Sequence, residues 1–206
     1  KSLCFQLPAL ARPGVTLVIS PLIALMKDQV DALVECGIAA TCINSSVAPA
    51  DQQYRLEGLS RGDWQLVYIA PERLRQASFL RAIEGVTVQM LAVDEAHCIS
   101  QWGHDFRPDY ARLGRFRQRL GNPQTVALTA TATTTVQQDI CAMLELKDPV
   151  RFVSGFARPN LSLAVETPAG NVARDKRLVE FIRSEPGGGI IYASTRKNCE
   201  HIVELL

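Results

Sequence analysis

The stretch Ala92-Val93-Asp94-Glu95-Ala96-His97-Cys98-Ile99-Ser100-Gln101-Trp102-Gly103-His104-Asp105-Phe106-Arg107-Pro108-Asp109-Tyr110 decides how this chain is read. An apolar run, Val86 to Val93, leads into it and has the length of a buried strand. Asp94 and Glu95 fall where that strand ends, and in open α/β sheets ligands bind off the carboxyl ends of strands. An aspartate there is placed to hold Mg²⁺ at a nucleotide. A glutamate one residue on is placed to orient or deprotonate an attacking water. The loop that follows is punctuated by Gly103 and Pro108 and mixes aromatic with basic side chains: Trp102, His104, Phe106, Arg107 and Tyr110. Such a mix suits stacking on bases and holding phosphates.

Working outward, strands and helices alternate. Val15–Ile19, Ala40–Ile43, Gln65–Ile69 and Thr125–Leu128 read as strands, rich in β-branched and apolar residues. Between them, Leu3 to Pro8 reads as a short helix limited by Pro8. Ser20-Pro21 reads as an N-cap and first helical position for a stripe of Leu22, Leu25, Met26, Val30 and Leu33, stopped at Gly37. Ala50–Gly62, Asp109–Leu120 and Thr133–Leu146 read as further helices, and Pro71 sits where another begins. The arginines Arg115, Arg117 and Arg119 do not share one helical face and read as solvated surface. Beyond Asp148-Pro149 come a short strand Arg151–Val153, a strand Leu161–Val165, a helix Val172–Ser184, the Gly-rich Pro186–Gly189, a strand Ile190–Tyr192 and a last helix. Alternation of this kind predicts a parallel α/β sheet with right-handed crossovers.

Asp94-Glu95-Ala96-His97 together with the loop through Tyr110 closely resembles motif II and the aromatic-rich loop of RecQ-family DNA helicases. Other stretches resemble the same family, in its motif order. Lys1-Ser2 matches the tail of the phosphate-binding G-x-x-x-x-G-K-[ST]. Ser20 to Gln29 resembles motif Ia, Ala70-Pro71-Glu72-Arg73-Leu74 motif Ib, Leu128 to Thr133 motif III, Gly155 to Leu161 the crossover, and Ile190 to Arg196 motif IV. The resemblance implies a RecA-like motor domain over residues 1–154, lacking its leading phosphate-loop strand, and the beginning of a second over residues 155–206. It implies ATP and Mg²⁺ as cofactors and single-stranded or forked DNA as partner, with movement 3′ to 5′.

The same resemblance assigns roles. Lys1 reaches the β- and γ-phosphates, Ser2 and Asp94 ligate Mg²⁺, Glu95 activates water, and His97 belongs to the nucleotide site. Ser20, Lys27, Pro71, Arg73, Trp102, His104, Phe106 and Arg107 face DNA. Thr129 and Thr131 couple nucleotide state to DNA grip. Two other readings remain: a non-catalytic nucleic-acid-binding segment, and a DEAH-type RNA helicase, against which the Gln101–Phe106 loop argues. Both ends read as cut, so the 206 residues by themselves are expected neither to hydrolyse ATP appreciably nor to unwind DNA.

Bulk properties bound the rest. With 47% hydrophobic and 21% charged residues the chain can bury a core. A net charge of +1 excludes a histone-like binder and requires any nucleic-acid contact to be a local patch. Six cysteines without a C-x-x-C pair read as reduced thiols, and no zinc is expected, since His97, Cys98 and His104 lack a fourth ligand at finger spacing. No apolar run reaches membrane-spanning length, so no membrane partner is expected and the location is intracellular: cytoplasm or nucleoid in a bacterium, nucleus in a eukaryote.

Overall fold

The central strands are buried on both faces, and the architecture follows from that. In the computed structural model, which describes residues 1–155 and 159–206, β1 (Val15–Ile19), β2 (Ala40–Ile43), β3 (Leu66–Ile69), β4 (Val88–Val93) and β5 (Gln124–Ala127) pair in parallel in the order β2-β3-β1-β4-β5. β1, β2 and β3 are buried along their whole length, as strands covered on both sides must be. Alternation along each strand sorts side chains to the two faces. Leu17, Ile19, Val67, Ile69, Leu91 and Val93 enter one apolar cluster, while Val18, Leu66, Tyr68, Met90 and Ala92 enter the other.

Helices close both clusters. α1 (Leu3–Ala11) and α2 (Ile23–Glu35) bring Phe5, Ala9, Met26, Val30 and Leu33 to the second cluster. α3 (Pro49–Arg61), α4 (Ala77–Ile83), α5 (Leu113–Arg119) and α6 (Thr134–Met143) bring Leu56, Leu59, Phe79, Leu113, Phe116 and Ile140 to the first. Each large side chain buried this way contributes about 1.5–3 kcal/mol. Helix ends follow local chemistry: Gly62 takes the left-handed conformation that terminates α3, and the Thr133 hydroxyl accepts the Val136 N–H to cap α6.

Because all five strands run the same way, their carboxyl ends share one edge. Ser20, Asn44, Ala70, Asp94 and Leu128 follow those ends directly. Backbone hydrogen bonds carry the ladder one residue further, Ser20 N–H to Ile69 O, Ala70 N–H to Ile43 O, Asp94 N–H to Ile19 O and Leu128 N–H to Val93 O.

Several local expectations are corrected. Pro8 lies inside α1, which continues to Ala11 because Phe5 and Ala9 are buried on either side of it. Ser20 is not an N-cap: it precedes a proline, which keeps it extended, and α2 begins only at Ile23. Leu22 and Leu25 are consequently exposed, and the packed stripe is Met26, Val30 and Leu33. Pro71 opens a 3₁₀ turn (Pro71–Arg75) rather than α4 itself, and Asp109–Leu120 is a 3₁₀ turn (Tyr110–Arg112) followed by α5.

Contacts divide the chain into Lys1–Arg151, which holds the sheet, and Phe152–Leu206. The second unit contains α7 (Gly170–Ser184) and α8 (Arg196–Leu205), joined by a contact between His201 Nε2 and Asp175 Oδ2 at 2.7 Å. Thr195 caps α8. The strands expected at Arg151–Val153, Leu161–Val165 and Ile190–Tyr192 are not formed. A strand is defined by a hydrogen-bonded neighbour, and none pairs with these segments among the described residues. The Gly155–Leu161 crossover falls partly on residues 156–158, outside the described residues. Among the described residues no helix is long and apolar enough to cross a membrane.

Candidate active site

Asp94 and Glu95 stand at the end of β4, between β1 and β5. Asp94 still belongs to the ladder, whereas Glu95 leaves it with φ 45° and ψ 47°. A glutamate holds this left-handed conformation only where its surroundings impose it. Here three bonds do so. The Ala96 N–H donates to Leu128 O at 2.9 Å, the Cys98 N–H donates to Glu95 O at 2.9 Å, and the Tyr110 hydroxyl donates to Asp94 O at 3.0 Å.

The kink puts the two carboxylates in different settings. Asp94 is buried, and burial raises its pKa above the ordinary carboxylate value, opposed by the Glu95 N–H and by Lys1. No side chain hydrogen-bonds it among the described residues. A desolvated carboxylate with free lone pairs is the hard oxygen ligand that Mg²⁺ prefers. The Ser2 hydroxyl, which makes no capping bond, is a second oxygen of the same kind. This donor chemistry fits the metal.

Glu95 is engaged on both oxygens. Oε1 accepts from Lys1 Nζ at 2.8 Å, and Oε2 lies 3.2 Å from His97 Nδ1. Burial, then neighbouring His104, lowers the His97 pKa, with Glu95 opposing the shift. His97 Nδ1 is 2.9 Å from Thr129 Oγ1, and Thr129 Oγ1 accepts the Thr131 N–H at 3.2 Å. His97 also stacks on His104, ring centroids 4.0 Å apart and planes within 20°. His104 Nδ1 in turn lies 3.4 Å from Thr131 Oγ1. A continuous polar chain therefore runs from the start of α1, through Glu95 and His97, to the end of β5 and the aromatic loop.

The loop is anchored at its base and open at its tip. The Ser100 hydroxyl donates to Asp139 on α6 at 2.5 Å and accepts the Trp102 N–H at 3.1 Å. The Arg107 N–H donates to Cys98 O at 2.9 Å, and its guanidinium pairs with Asp105 at 2.9 Å and donates to Pro21 O at 3.3 Å. Gly103 passes so close to the 3₁₀ turn that a Cβ would lie 2.2 Å from His97 O. Against this base, Trp102 is 79% exposed and Phe106 37%.

The remaining predicted residues are more scattered. Ser20 is buried, and its hydroxyl has no partner among the described residues. Lys27 is exposed and pairs with Asp31 one turn along α2, joining no part of the network. Pro71 is buried at the start of its turn. Arg73 faces inward, donating to Asn44 O and Gln76 Oε1, both at 3.0 Å. Sequence reading passed over Tyr110 as a backbone lock, Gly103 as a close approach and Asp139 as an anchor. A lone glycine in a loop signals the second, whereas nothing local signals a partner 39 positions away.

The fold is a parallel five-stranded α/β sheet that resembles RecA-like helicase domains. It resembles the helicase Lhr of Mycobacterium smegmatis, solved bound to ssDNA and AMP-PNP, with TM-score 0.66 and 19% identity over 98% of this chain and 30% of that one. It also resembles the Hef helicase domain of Pyrococcus furiosus, with TM-score 0.52 and 15% identity over 70% of this chain and 30% of that one. The chain belongs to the DEAD/DEAH box helicase family, whose family description matches residues 1–140. Within it the similarity is to RecQ helicases. Identity is 46% to the ATP-dependent DNA helicase RecQ of Bacillus subtilis, over 100% of this chain and 35% of the relative. It is 44% to RecQ of Haemophilus influenzae, over 100% and 33%, and 44% to the ATP-dependent DNA helicase Q5 of Mus musculus, over 98% and 22%. The chain thus spans about a third or less of the length of these relatives.

Proposed function

We propose that this chain carries the ATP-hydrolysing carboxylates and leading DNA contacts of an ATP-dependent 3′–5′ DNA helicase of RecQ type, acting on single-stranded or forked DNA in the nucleoid or nucleus. The observation that carries this reading is the unbroken line of contacts from Lys1 through Glu95 and His97 to His104 and the Trp102 loop. The names of the RecQ relatives support it, as does the likeness to a helicase solved with ssDNA and a nucleotide analogue.

In this reading Mg²⁺, when bound, neutralises phosphate charge. Asp94 and Ser2 hold it. Lys1 leaves Glu95 to meet the β- and γ-phosphates, since one ammonium cannot serve both partners fully. Glu95 Oε1 is then free to accept a proton from water, while Oε2 stays held by His97. Trp102 and Phe106 stack on bases, with Arg107, Ser20 and Lys27 along the phosphates. His104, Thr129 and Thr131 connect that contact to Glu95. Residues 1–154 form the first motor domain and residues 155–206 begin the second.

The test is Glu95→Gln in the complete protein. The expected result is loss of DNA-stimulated ATP hydrolysis with a fluorescent ATP analogue still bound at near wild-type affinity. Hydrolysis at the wild-type rate would remove Glu95 from the chemistry.

A further inference from the structure

On the α5 side of the sheet a cleft of about 420 Å³ opens between the Pro71–Arg75 turn and α5. Its floor is apolar: Pro71, Leu74 and Phe116 are buried and Leu80 is half-buried. Its rim is cationic, formed by Arg75, Arg112, Arg115 and Arg119. Arg115 and Arg119 are one turn apart on α5, at i and i+4, and Arg112 ends the 3₁₀ turn just before it. These three arginines are exposed and have no acidic partner among the described residues, whereas Arg117, on another face, is tied to Thr125, Asn122 and Glu145 O. The one acid at the rim, Asp109, is already held by Arg75 at 3.0 Å. Four guanidiniums against one carboxylate is a local excess that the chain's net charge of +1 conceals.

We propose that this cleft docks an acidic peptide segment of a partner protein, with an apolar side chain seated on the Leu74–Phe116 floor and flanking carboxylates on Arg112, Arg115 and Arg119. The Arg75–Asp109 pair shows the chemistry in place, since guanidinium binds carboxylate through paired N–H donors. The floor argues for peptide over nucleic acid. Bases need an open aromatic face, and the only ring here, Phe116, is 6% exposed and packed on Phe79 at 6.1 Å. Phosphates need cations but gain nothing from an aliphatic floor. Apolar anchoring inside a charged rim is how compact peptide sites gain both affinity and selectivity.

The experiment is fluorescence anisotropy on the complete protein with a fluorescein-labelled seven-residue peptide, Leu-Phe at its centre and Asp or Glu at the other five positions. Competitors are the same peptide with Ser-Ser at the centre and an oligothymidylate. The expected result is saturable binding, weakened about tenfold or more by Arg115→Glu with Arg119→Glu and by the Ser-Ser exchange. The double variant retains DNA-stimulated ATP hydrolysis, which also shows that it is folded. Absence of peptide binding, or equal binding of the Ser-Ser peptide, overturns the proposal. So does loss of oligothymidylate binding in the double variant without change in peptide binding, which would make the rim a nucleic-acid surface.

Discussion

The imidazole rings of His97 and His104 are stacked with centroids 4.0 Å apart, which puts the aromatic loop in direct contact with the residue that holds Glu95. His97 is buried, so its ring position depends on what packs against it. His104→Ala removes one wall of that packing and the contact to Thr131. The expected outcome is a DNA-free ATPase rate close to wild type and a DNA-stimulated rate reduced about tenfold. Steady-state hydrolysis with and without oligothymidylate checks it, and equal loss of both rates would assign His104 to packing alone.

Trp102 and Gly103 are neighbours with opposite demands. Trp102 is 79% exposed, so Trp102→Ala costs no measurable stability. If it stacks on a base, its removal weakens single-stranded DNA binding by about 1–3 kcal/mol. Gly103→Ala forces a Cβ against His97 O at 2.2 Å, so the loop must move from its base. The second variant is therefore expected to lower both DNA affinity and melting temperature, and the first affinity alone. Titration of labelled oligothymidylate alongside thermal melting distinguishes the two.

Tyr110 is fully buried, and its hydroxyl donates to Asp94 O at 3.0 Å. Tyr110→Phe keeps the ring and deletes the bond. It is expected to cost about 0.5–1.5 kcal/mol, with Asp94 O left in an apolar setting as the upper limit. Denaturant unfolding with an unchanged m-value would report this directly. No change in midpoint would mean that water replaces the hydroxyl.

Cys98 is buried, and burial first, then the neighbouring Asp105, pushes its thiol pKa up to about 11. A raised thiol pKa favours the neutral, unreactive form, leaving about one thiolate in a thousand at pH 8. Native alkylation at pH 8 is expected to label exposed Cys4, Cys36 and Cys199 and to spare Cys98 and buried Cys42 until the chain is unfolded. Peptide mass mapping reads the order. Early labelling of Cys98 would show that the 3₁₀ turn opens in solution.

Local pattern in the sequence sufficed for the sheet. β1, β2 and β3 were legible because a parallel strand covered on both sides is predominantly apolar, and such runs as Val15–Ile19 and Leu66–Ile69 announce themselves without neighbours. The same runs placed Asp94 and Glu95 at a strand end, and the residue types in the loop marked Trp102 as a residue to expose. What those patterns could not carry was anything that depends on a partner far along the chain. Lys1 and Glu95 are 94 positions apart, Ser100 and Asp139 39, and these contacts exist only because parallel crossovers bring successive carboxyl ends to one edge. The inward turn of Arg73 toward Asn44 and the stacking of His104 on His97 were invisible for the same reason: side chains rich in donors read as surface until the structure supplies acceptors. Ile190–Tyr192 shows the limit from the other side. Its composition favours a strand, but a strand is a relation between two segments, and only tertiary structure decides whether the second one is there.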